Sequence, residues 1–493
     1  MAITAGGSLN SVPAPVQQTL STNYLDLNGS GGWAQQYLPD LMEQEAEVFG
    51  PRTISGFLSQ VGAEEAMSAD QVIWSEQGRL HLSYKGDIDA ENVITIQSDI
   101  DGNFGSSATI VEAGMTTHGI RLNDTVIVAN ANVTVKCLVT VVDGADITVA
   151  PYDGVAIAAL TTNLATTILV YGSEYAKGVG YNAAAATTVE SRGANEPDFK
   201  TFSNKPVIMK DYYEVSGSDA SRIGWVETTS EAGASGYMWY LKAEADTRAR
   251  FNDYIEMAMI EGVKGANTNA VDTFLGGVVA GNDELVGTEG LFAAIESRGN
   301  LTSGITGVNA ATDLAEFDAI LAEFDKQGAI EENMMFVNRA TSLAMDDMLA
   351  AMNSYGAGGT SYGVFNNSED MALNLGFSGF RRGSYDFYKS DFRYLNDLAT
   401  RGGINAANAA DAIRGVIIPA GTSTVYDQQL GKNLKRPFLH VRYRASQTDD
   451  RRMKTWVTGS VGAATSSLDA MQMHMLSERC LITQGANNFM LMK

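Results

Sequence analysis

The first clear alternation of apolar and polar positions lies at residues 79–84. Leu80, Leu82 and Tyr84 occupy every second position there, with polar residues between them, and a two-residue period predicts a strand with one apolar face. A strand needs a partner for its backbone N–H and C=O groups. Strand character of the same kind returns at 199–213. We therefore expect these two strands to pair as a long hairpin.

The residues between those strands, 91–190, differ from the rest of the chain. They contain no Trp and few basic residues, while Ala, Thr and Val dominate. Within 124–154, runs of β-branched residues are separated by turn signals such as the Asp-Gly pairs at 143–144 and 153–154, which predicts a series of hairpins. The sequence therefore predicts a small antiparallel barrel or sandwich, inserted near the tip of the long hairpin, where insertions are tolerated.

Two helices stand out in the second half of the pattern. The first is predicted over 234–262, and its apolar stripe consists of Phe251, Ile255 and Met259. The second is predicted over 312–328, with Thr312 as its N-cap and Gly328 as its end. Further predicted elements are a short helix at 38–50, a helix at 339–353 and strands at 333–338, 415–421, 438–445 and 471–483. Together they predict an α+β fold with mixed or antiparallel sheets.

Composition places the chain among ordinary globular proteins. It has 493 residues, of which 45% are hydrophobic and 19% charged, enough for two to four domains. Its apolar runs are too short for a membrane helix, and we expect no secretory signal at its start. Two widely separated cysteines, Cys137 and Cys480, predict synthesis in a reducing cytosol without disulfides. Residues 1–35 are small and polar, and we expect an extended arm held by a neighbouring subunit.

The formal net charge of −24 argues against a protein that recognises nucleic-acid sequence, because such a protein needs a basic footprint. The charge is uneven. Residues 1–50 carry acidic residues and no Lys or Arg, whereas 432–454 are strongly basic. Opposite charges on one chain suit contact between copies of itself, and ordinary variation of a protein surface is the alternative.

One motif suggests an enzyme. The sequence GTSYG at 359–363 matches the nucleophile-elbow pattern around Ser361. An elbow needs a buried strand before the serine and a helix after it, whereas a glycine-rich stretch surrounds this one. We therefore favour a loop over a catalytic serine.

Metal-binding signals are weak. Asp99, Asp101 and Asn103 stand at alternate positions as in a calcium loop, but Phe104 occupies the position that requires glycine. A solvated acidic turn is the favoured interpretation, and a bound ion near Asp99 stays open. The four histidines, none at a ligand spacing, are His81, His118, His440 and His474. No nucleotide-binding or zinc-protease motif is present, and we expect no catalytic residues, no cofactor and no metal.

The order of these parts resembles the major capsid proteins of tailed bacteriophages with the Hong Kong 97-type fold. The stretches that carry the resemblance are GPRTISGFLSQVGAEEAMSADQVIWSEQG (50–78), FKTFSNKPVIMKDYYEVSGSD (199–219), GLFAAIESRGN (290–300) and LNLGFSGFRRGSYDFYKSDFRYLND (373–397). They are most similar to capsid proteins of marine and gut podovirus-like phages, including the crAss-like group. The resemblance spans nearly the whole chain outside 91–190.

The resemblance implies a domain layout. Its parts are an N-terminal arm (1–72), an extended loop (73–90 and 191–215), an inserted β domain (91–190), a peripheral domain with a long spine helix (216–299), an axial domain (300–420) and a return to the peripheral domain (421–493). It also implies a non-catalytic protein that self-assembles into the icosahedral shell around the phage double-stranded DNA, without sequence-specific DNA binding and without a membrane. The implied location is the virion capsid, after synthesis in the bacterial cytoplasm.

The implied partners are other copies of the chain, in hexamers and pentamers, with portal, scaffold and decoration proteins as further candidates. The residues that we expect between subunits are Trp33, Glu43, Glu45, Glu47, Arg79, His81, Lys435, Arg436, Arg451 and Arg452. The basic stretch 432–454 would meet an acidic surface of another subunit, the lumen, or both. The alternatives are a tail or decoration protein of a phage and, from another class, a serine hydrolase that uses Ser361.

Overall fold

The structure is a computed structural model, and it forms two compact units. It describes residues 63–77, 81–90, 92–100, 114–130, 133–154, 166–178, 199–220, 227–229, 235–265, 270–275, 286–328, 330–353, 379–420, 422–427, 432–460 and 464–493. We call the part within 75–202 the barrel unit, and residues 63–74 with the described residues from 203 onward the sheet unit. The predicted arm at 1–35 and the predicted helix at 38–50 lie outside the described residues.

Among the described elements, ten strands come first along the chain and helices are interspersed with strands only after them, as expected for an α+β protein. The strands are β1 (Ala63–Met67), β2 (Val72–Gln77), β3 (Ser83–Ala90), β4 (Val93–Asp99), β5 (Asp124–Ala129), β6 (Thr134–Asp143), β7 (Asp146–Pro151), β8 (Thr166–Ser173), β9 (Phe199–Asn204), β10 (Val207–Ser216), β11 (Glu227–Thr229), β12 (Ser235–Tyr237), β13 (Asn300–Thr302), β14 (Glu332–Val337), β15 (Gly379–Arg382), β16 (Tyr385–Asp391), β17 (Gly415–Pro419), β18 (Thr422–Asp427), β19 (Lys432–Pro437), β20 (Leu439–Arg444), β21 (Lys454–Gly459), β22 (Ala470–Thr483) and β23 (Met490–Met492). The α-helices are α1 (Gly217–Ala220), α2 (Met238–Glu261), α3 (Ala270–Leu275), α4 (Leu291–Arg298), α5 (Ala310–Gln327), α6 (Arg339–Asn353) and α7 (Arg401–Ala407).

Six strands of the barrel unit close into an antiparallel barrel. Their order around the barrel is β3-β4-β7-β6-β5-β8. Inward and outward positions alternate as the pleat requires: along β6, Val135, Cys137 and Val139 are buried, while Thr134 and Lys136 are exposed. Isoleucines and valines from all six strands form the core inside. The β-branched runs that suggested hairpins therefore build the wall of this barrel.

Gly86 sits where β3 and β4 lose register, at a β-bulge between Lys85 and Gly86. A Cβ at this position would lie 2.7 Å from the backbone oxygen of Thr95 on the neighbouring strand. Only a residue without a side chain lets the two strands approach this closely.

The predicted pairing of 79–84 with 199–213 is wrong. Tyr84 lies on β3, which pairs with β4 and β8 inside the barrel, and its ring is part of the barrel core. The strand that pairs with β9 is β2, which precedes β3 along the chain. An alternating pattern defines an apolar face but not the partner strand. Accordingly, the compact unit begins near residue 75, not at 91, and a separate inserted domain at 91–190 stays a prediction.

The sheet unit contains two larger sheets. In the first, the strands lie in the order β1-β20-β22-β10, and β21 also pairs with β22. The helix α2 packs on one face of this sheet, where Phe251 and Ile255 contact Met475 and Met209. At about 1.5 Å per residue, its 24 residues span about 36 Å. The predicted stripe of Phe251, Ile255 and Met259 is buried, which confirms the predicted face, although the helix begins at Met238 instead of 234.

The second sheet has six strands in the order β13-β23-β17-β14-β16-β15. Helices α5 and α6 cover it through a core in which Phe317 packs edge-on against Phe387, with ring centroids 5.2 Å apart. The predicted N-cap of α5, Thr312, is wrong: Asn309 is extended and its side chain accepts a hydrogen bond from the Thr312 N–H at 2.9 Å. Gly328 ends this helix in the left-handed conformation, as predicted.

Candidate functional site

The structure separates most of the residues that we expected between subunits. Five of them, Trp33, Glu43, Glu45, Glu47 and Arg79, lie outside the described residues. His81 is exposed at the start of the barrel unit. Lys435 and Arg436 lie on β19, opposite Thr424 and Ser423 of β18. Arg451 and Arg452 lie together in the loop between β20 and β21.

That loop lies next to the pair formed by β1 and β20, where the first described strand meets a strand from the last part of the chain. β1 runs parallel to β20, with Glu65 opposite Arg442. Directly opposed residues share a face of the sheet, and the Arg442 guanidinium donates to the Glu65 carboxylate at 2.9 Å. Glu64 points to the other face, where it pairs with Arg452 and lies 3.5 Å from Arg479. Ion pairs on both faces therefore reinforce the backbone pairing of β1.

Glu478 is the buried acidic residue of this cluster, with 6% of its surface exposed. Its carboxylate lies 2.6 Å from Arg451 and 3.7 Å from Arg444, and Arg444 also pairs with the exposed Asp70. A buried carboxylate requires such cations, because leaving it alone in a low-dielectric site is costly. Arg451 and Arg452 thus have acidic partners within their own chain, and their contact with another subunit stays a prediction.

Arg479 fixes the loop to the central strand β22. It is 8% exposed, and its guanidinium donates to the Arg452 carbonyl oxygen at 2.7 Å and to the Ser477 hydroxyl at 2.9 Å. Burial lowers the pKa of Arg479, and Glu64 opposes that shift. The sequence marks Arg451 and Arg452 as part of a basic stretch but does not reveal this cluster, because Glu64 and Glu65 lie far from their partners along the chain.

An aromatic row lies on the sheet face opposite α2. Tyr212 on β10, His474 on β22 and Trp456 on β21 stand directly opposite one another. The Tyr212 and His474 rings are stacked with centroids 6.1 Å apart, and those of Trp456 and His474 are stacked at 5.2 Å. Tyr212 remains 57% exposed and Trp456 37%. The row exposes apolar surface on this face of the sheet, and Trp456 on β21 is the ring at its end.

The described residues offer little for chemistry. Among them, no three His, Cys, Asp or Glu side chains are placed to hold a metal ion. Ser361 lies outside the described part of the chain, as do Asp101 and Asn103 of the acidic turn. Burial raises the pKa of the Cys137 thiol to about 11 and that of Cys480 to about 12, so neither is a ready nucleophile. In the described segments, no helix is both long and apolar enough to span a bilayer.

Comparisons with known proteins give structural neighbours only. No family model and no curated protein matches the chain. It is similar to a structure from Microbacterium phage Oxtober96, at 10% identity over 95% of this chain and 99% of that one, with a TM-score of 0.37. A structure from Gordonia phage Cozz has 10% identity over 97% and 98%, with a TM-score of 0.39.

A third neighbour is the capsid of a native GTA particle, at 10% identity over 96% of this chain and 99% of that one, with a TM-score of 0.36. Two of these three structures come from phages and the third is a capsid.

Proposed function

We propose that this chain is the major capsid protein of a tailed bacteriophage, a structural, non-catalytic protein that self-assembles into the icosahedral shell around the double-stranded DNA genome. The observation that carries the proposal is the order of the parts along the chain. A first edge strand, β1, is followed by the paired strands β2 and β9 on either side of a barrel, and then by the long helix α2. The chain continues through a second α+β sheet and returns to the first sheet through β20–β22.

The proposal assigns roles to these parts. Residues 1–72 form the N-terminal arm, 73–90 and 191–215 the extended loop, and 216–299 with 421–493 the peripheral domain around α2. Residues 300–420 form the axial domain, whose sheet is completed by β23. Segment 91–190 is the inserted β domain. The net charge of −24 is compatible with a shell that encloses DNA without binding it tightly.

Electron microscopy of the purified full-length chain tests the proposal. We expect closed shells built from hexamers and pentamers, in particles that form without added nucleic acid. Tubes or sheaths instead of shells would indicate a tail component. A chain that stays monomeric at all concentrations would overturn the proposal.

A further inference from the structure

In the first sheet of the sheet unit, β1, β10 and β21 each have an edge that no described strand occupies, and β10 and β21 differ in how they present theirs. β10 and β21 pair with opposite sides of β22, because Met473 faces Tyr213 of β10 and Val457 of β21 at once. Of the described strands, β22 alone pairs with either of them. The outer backbone groups of an edge strand are a template for another strand.

The edge of β10 carries the charges with which proteins protect such templates. Lys210, Asp211 and Glu214 are spread along its length, and charged residues on an edge discourage pairing with another chain. β21 has one charge, Lys454, at its first position. The rest of β21 is Thr, Trp, Val, Thr and Gly, without proline. Most of these residue types favour strands, so β21 lacks the usual protection.

The side chains of β21 are open to solvent on both faces. Val457 is 53% exposed on the face shared with α2. Trp456, on the opposite face, ends the aromatic row with His474 and Tyr212. An added strand would place its side chains beside these two, and cross-strand aromatic and β-branched pairs stabilise a sheet.

The same side of the sheet already accepts a distant strand. Arg479 of β22 faces Val207 of β10 and Tyr443 of β20, so β20 and β21 lie on the same side of β22 and run in the same direction. β1 occupies the outer edge of β20. The chain after β1 does not continue along β21, because it turns away into β2, which pairs with β9. The outer edge of β21, to which no described strand pairs, therefore continues the edge of β20 that β1 covers.

We propose that the outer edge of β21, which no described strand occupies, accepts a strand from a second copy of this chain. The choice of a second copy rests on the proposed function, since a shell holds many identical chains at close range. Strand addition would join the sheets of neighbouring copies through backbone hydrogen bonds, and Trp456 and Val457 would pack against the incoming strand.

Hydrogen exchange of the full-length protein, measured by mass spectrometry on monomers and on assembled particles, tests this proposal. We expect the amides of 454–459 to exchange more slowly in the particle than in the monomer, by a factor of at least about ten. Equal rates in the two states, in a protein that does form shells, would overturn the strand-addition proposal and leave the proposed function standing. A chain that forms no oligomer of any kind would overturn both.

Proline substitutions supply the second measurement. Adjacent residues of a strand direct their N–H groups to opposite sides, so one of Trp456→Pro and Val457→Pro removes an outward donor and leaves the pairing with β22 intact. The variant that keeps the wild-type melting temperature is the informative one, and we expect it to assemble poorly. The matched controls, Lys210→Pro and Asp211→Pro on the other edge, include one folded variant that should assemble normally. Normal assembly of the folded β21 variant would contradict the proposal.

Discussion

Asn204 illustrates how one polar side chain connects three segments of the sheet unit. It is fully buried, and its amide nitrogen donates to the carbonyl oxygens of Leu481 at 2.6 Å and Glu289 at 3.0 Å. Its amide oxygen accepts from the Glu289 N–H at 2.9 Å. The end of β9 is thereby linked to β22 and to the segment that leads into α4.

Replacing this amide should destabilise the sheet unit. In Asn204→Ala the buried carbonyl oxygen of Leu481 and the partly buried one of Glu289 lose this donor, and an unsatisfied buried group costs about 1–3 kcal/mol. We expect a loss of about 2–3 kcal/mol in the free energy of unfolding, measured by urea denaturation of the full chain. The control is Asn408→Ala at an exposed position, which should change stability little. A similar small change for both variants would show that the Asn204 contacts contribute little.

His118 makes the barrel unit sensitive to acid. Its Nε2 lies 2.9 Å from the Gly144 carbonyl oxygen, and its ring packs edge-on against Tyr84. Burial is the main cause that lowers the pKa of His118 below its ordinary 6.5. The unfolded chain therefore binds a proton at a higher pH than the folded chain, and stability present above about pH 6.5 falls as the pH decreases toward the folded pKa.

We expect the melting temperature to drop between about pH 7.5 and about pH 5, and His118→Gln should reduce that drop. Circular dichroism of the full chain measures both. The exposed His81 lies in the same unit, and His81→Gln is the matched control that should keep the wild-type pH dependence. If His118→Gln also keeps it, another group controls the response to acid.

At the scale of elements, α5 has two candidate N-caps, Asn309 and Thr312, which lie three residues apart in the sequence. Asn309 caps the helix in the structure, while Thr312 contributes only its backbone N–H to that bond. We expect Asn309→Ala to lower the free energy of unfolding by about 1 kcal/mol and Asn309→Ser to restore most of it. Thr312→Ala should have a much smaller effect. The reverse order of the two alanine variants in urea denaturation would place the cap at Thr312 after all.

The local sequence pattern predicts this helix correctly, but it does not predict the residue at which the helix begins. The apolar period predicts a helix over 312–328, and its residues Phe317 and Phe324 are buried in the structure. The start was misplaced because Asn and Thr are both good caps, and sequence spacing alone does not rank them. The wrong partner for β3 has the same origin. The alternation at Leu82 and Tyr84 marks an apolar face, and such a face is as compatible with pairing to β4 and β8 as with pairing to β9.

Contacts between distant segments of the chain could not be predicted from the sequence. The basic residues Arg451 and Arg452 stood out as a charged stretch, but their partners Glu478 and Glu64 became identifiable only once the pairing of β1, β20 and β22 was known. A charged stretch is equally compatible with a partner in the same chain, in another copy or in solvent. Pairing within the chain also makes charge reversal at Arg451 an ambiguous test of assembly, because it would place a like charge beside the buried Glu478.

At the scale of the whole molecule, the acidic beginning of the chain is the part with the clearest expected role in assembly. Residues 1–50 carry acidic residues and no Lys or Arg, and 1–35 lack an apolar period. The sheet unit is anchored from β1 onward by the parallel pairing with β20 and by the ion pairs of Glu64 and Glu65. Folding of the two units should therefore not depend on 1–35, whereas contact between copies should.

Deleting residues 1–35 tests this separation. We expect the truncated chain to keep a cooperative melt within a few degrees of the full chain, about the shift that 1 kcal/mol produces in a large domain, while the yield of closed shells in electron micrographs falls strongly. A chain with the same 35 residues in scrambled order is the control, and shells restored by it would show that composition suffices. Screening weakens attraction between exposed charges beyond about 10 Å at 0.1 M salt, so assembly of the full chain should also decline as salt rises. Normal shells from the truncated chain would exclude 1–35 as an assembly element.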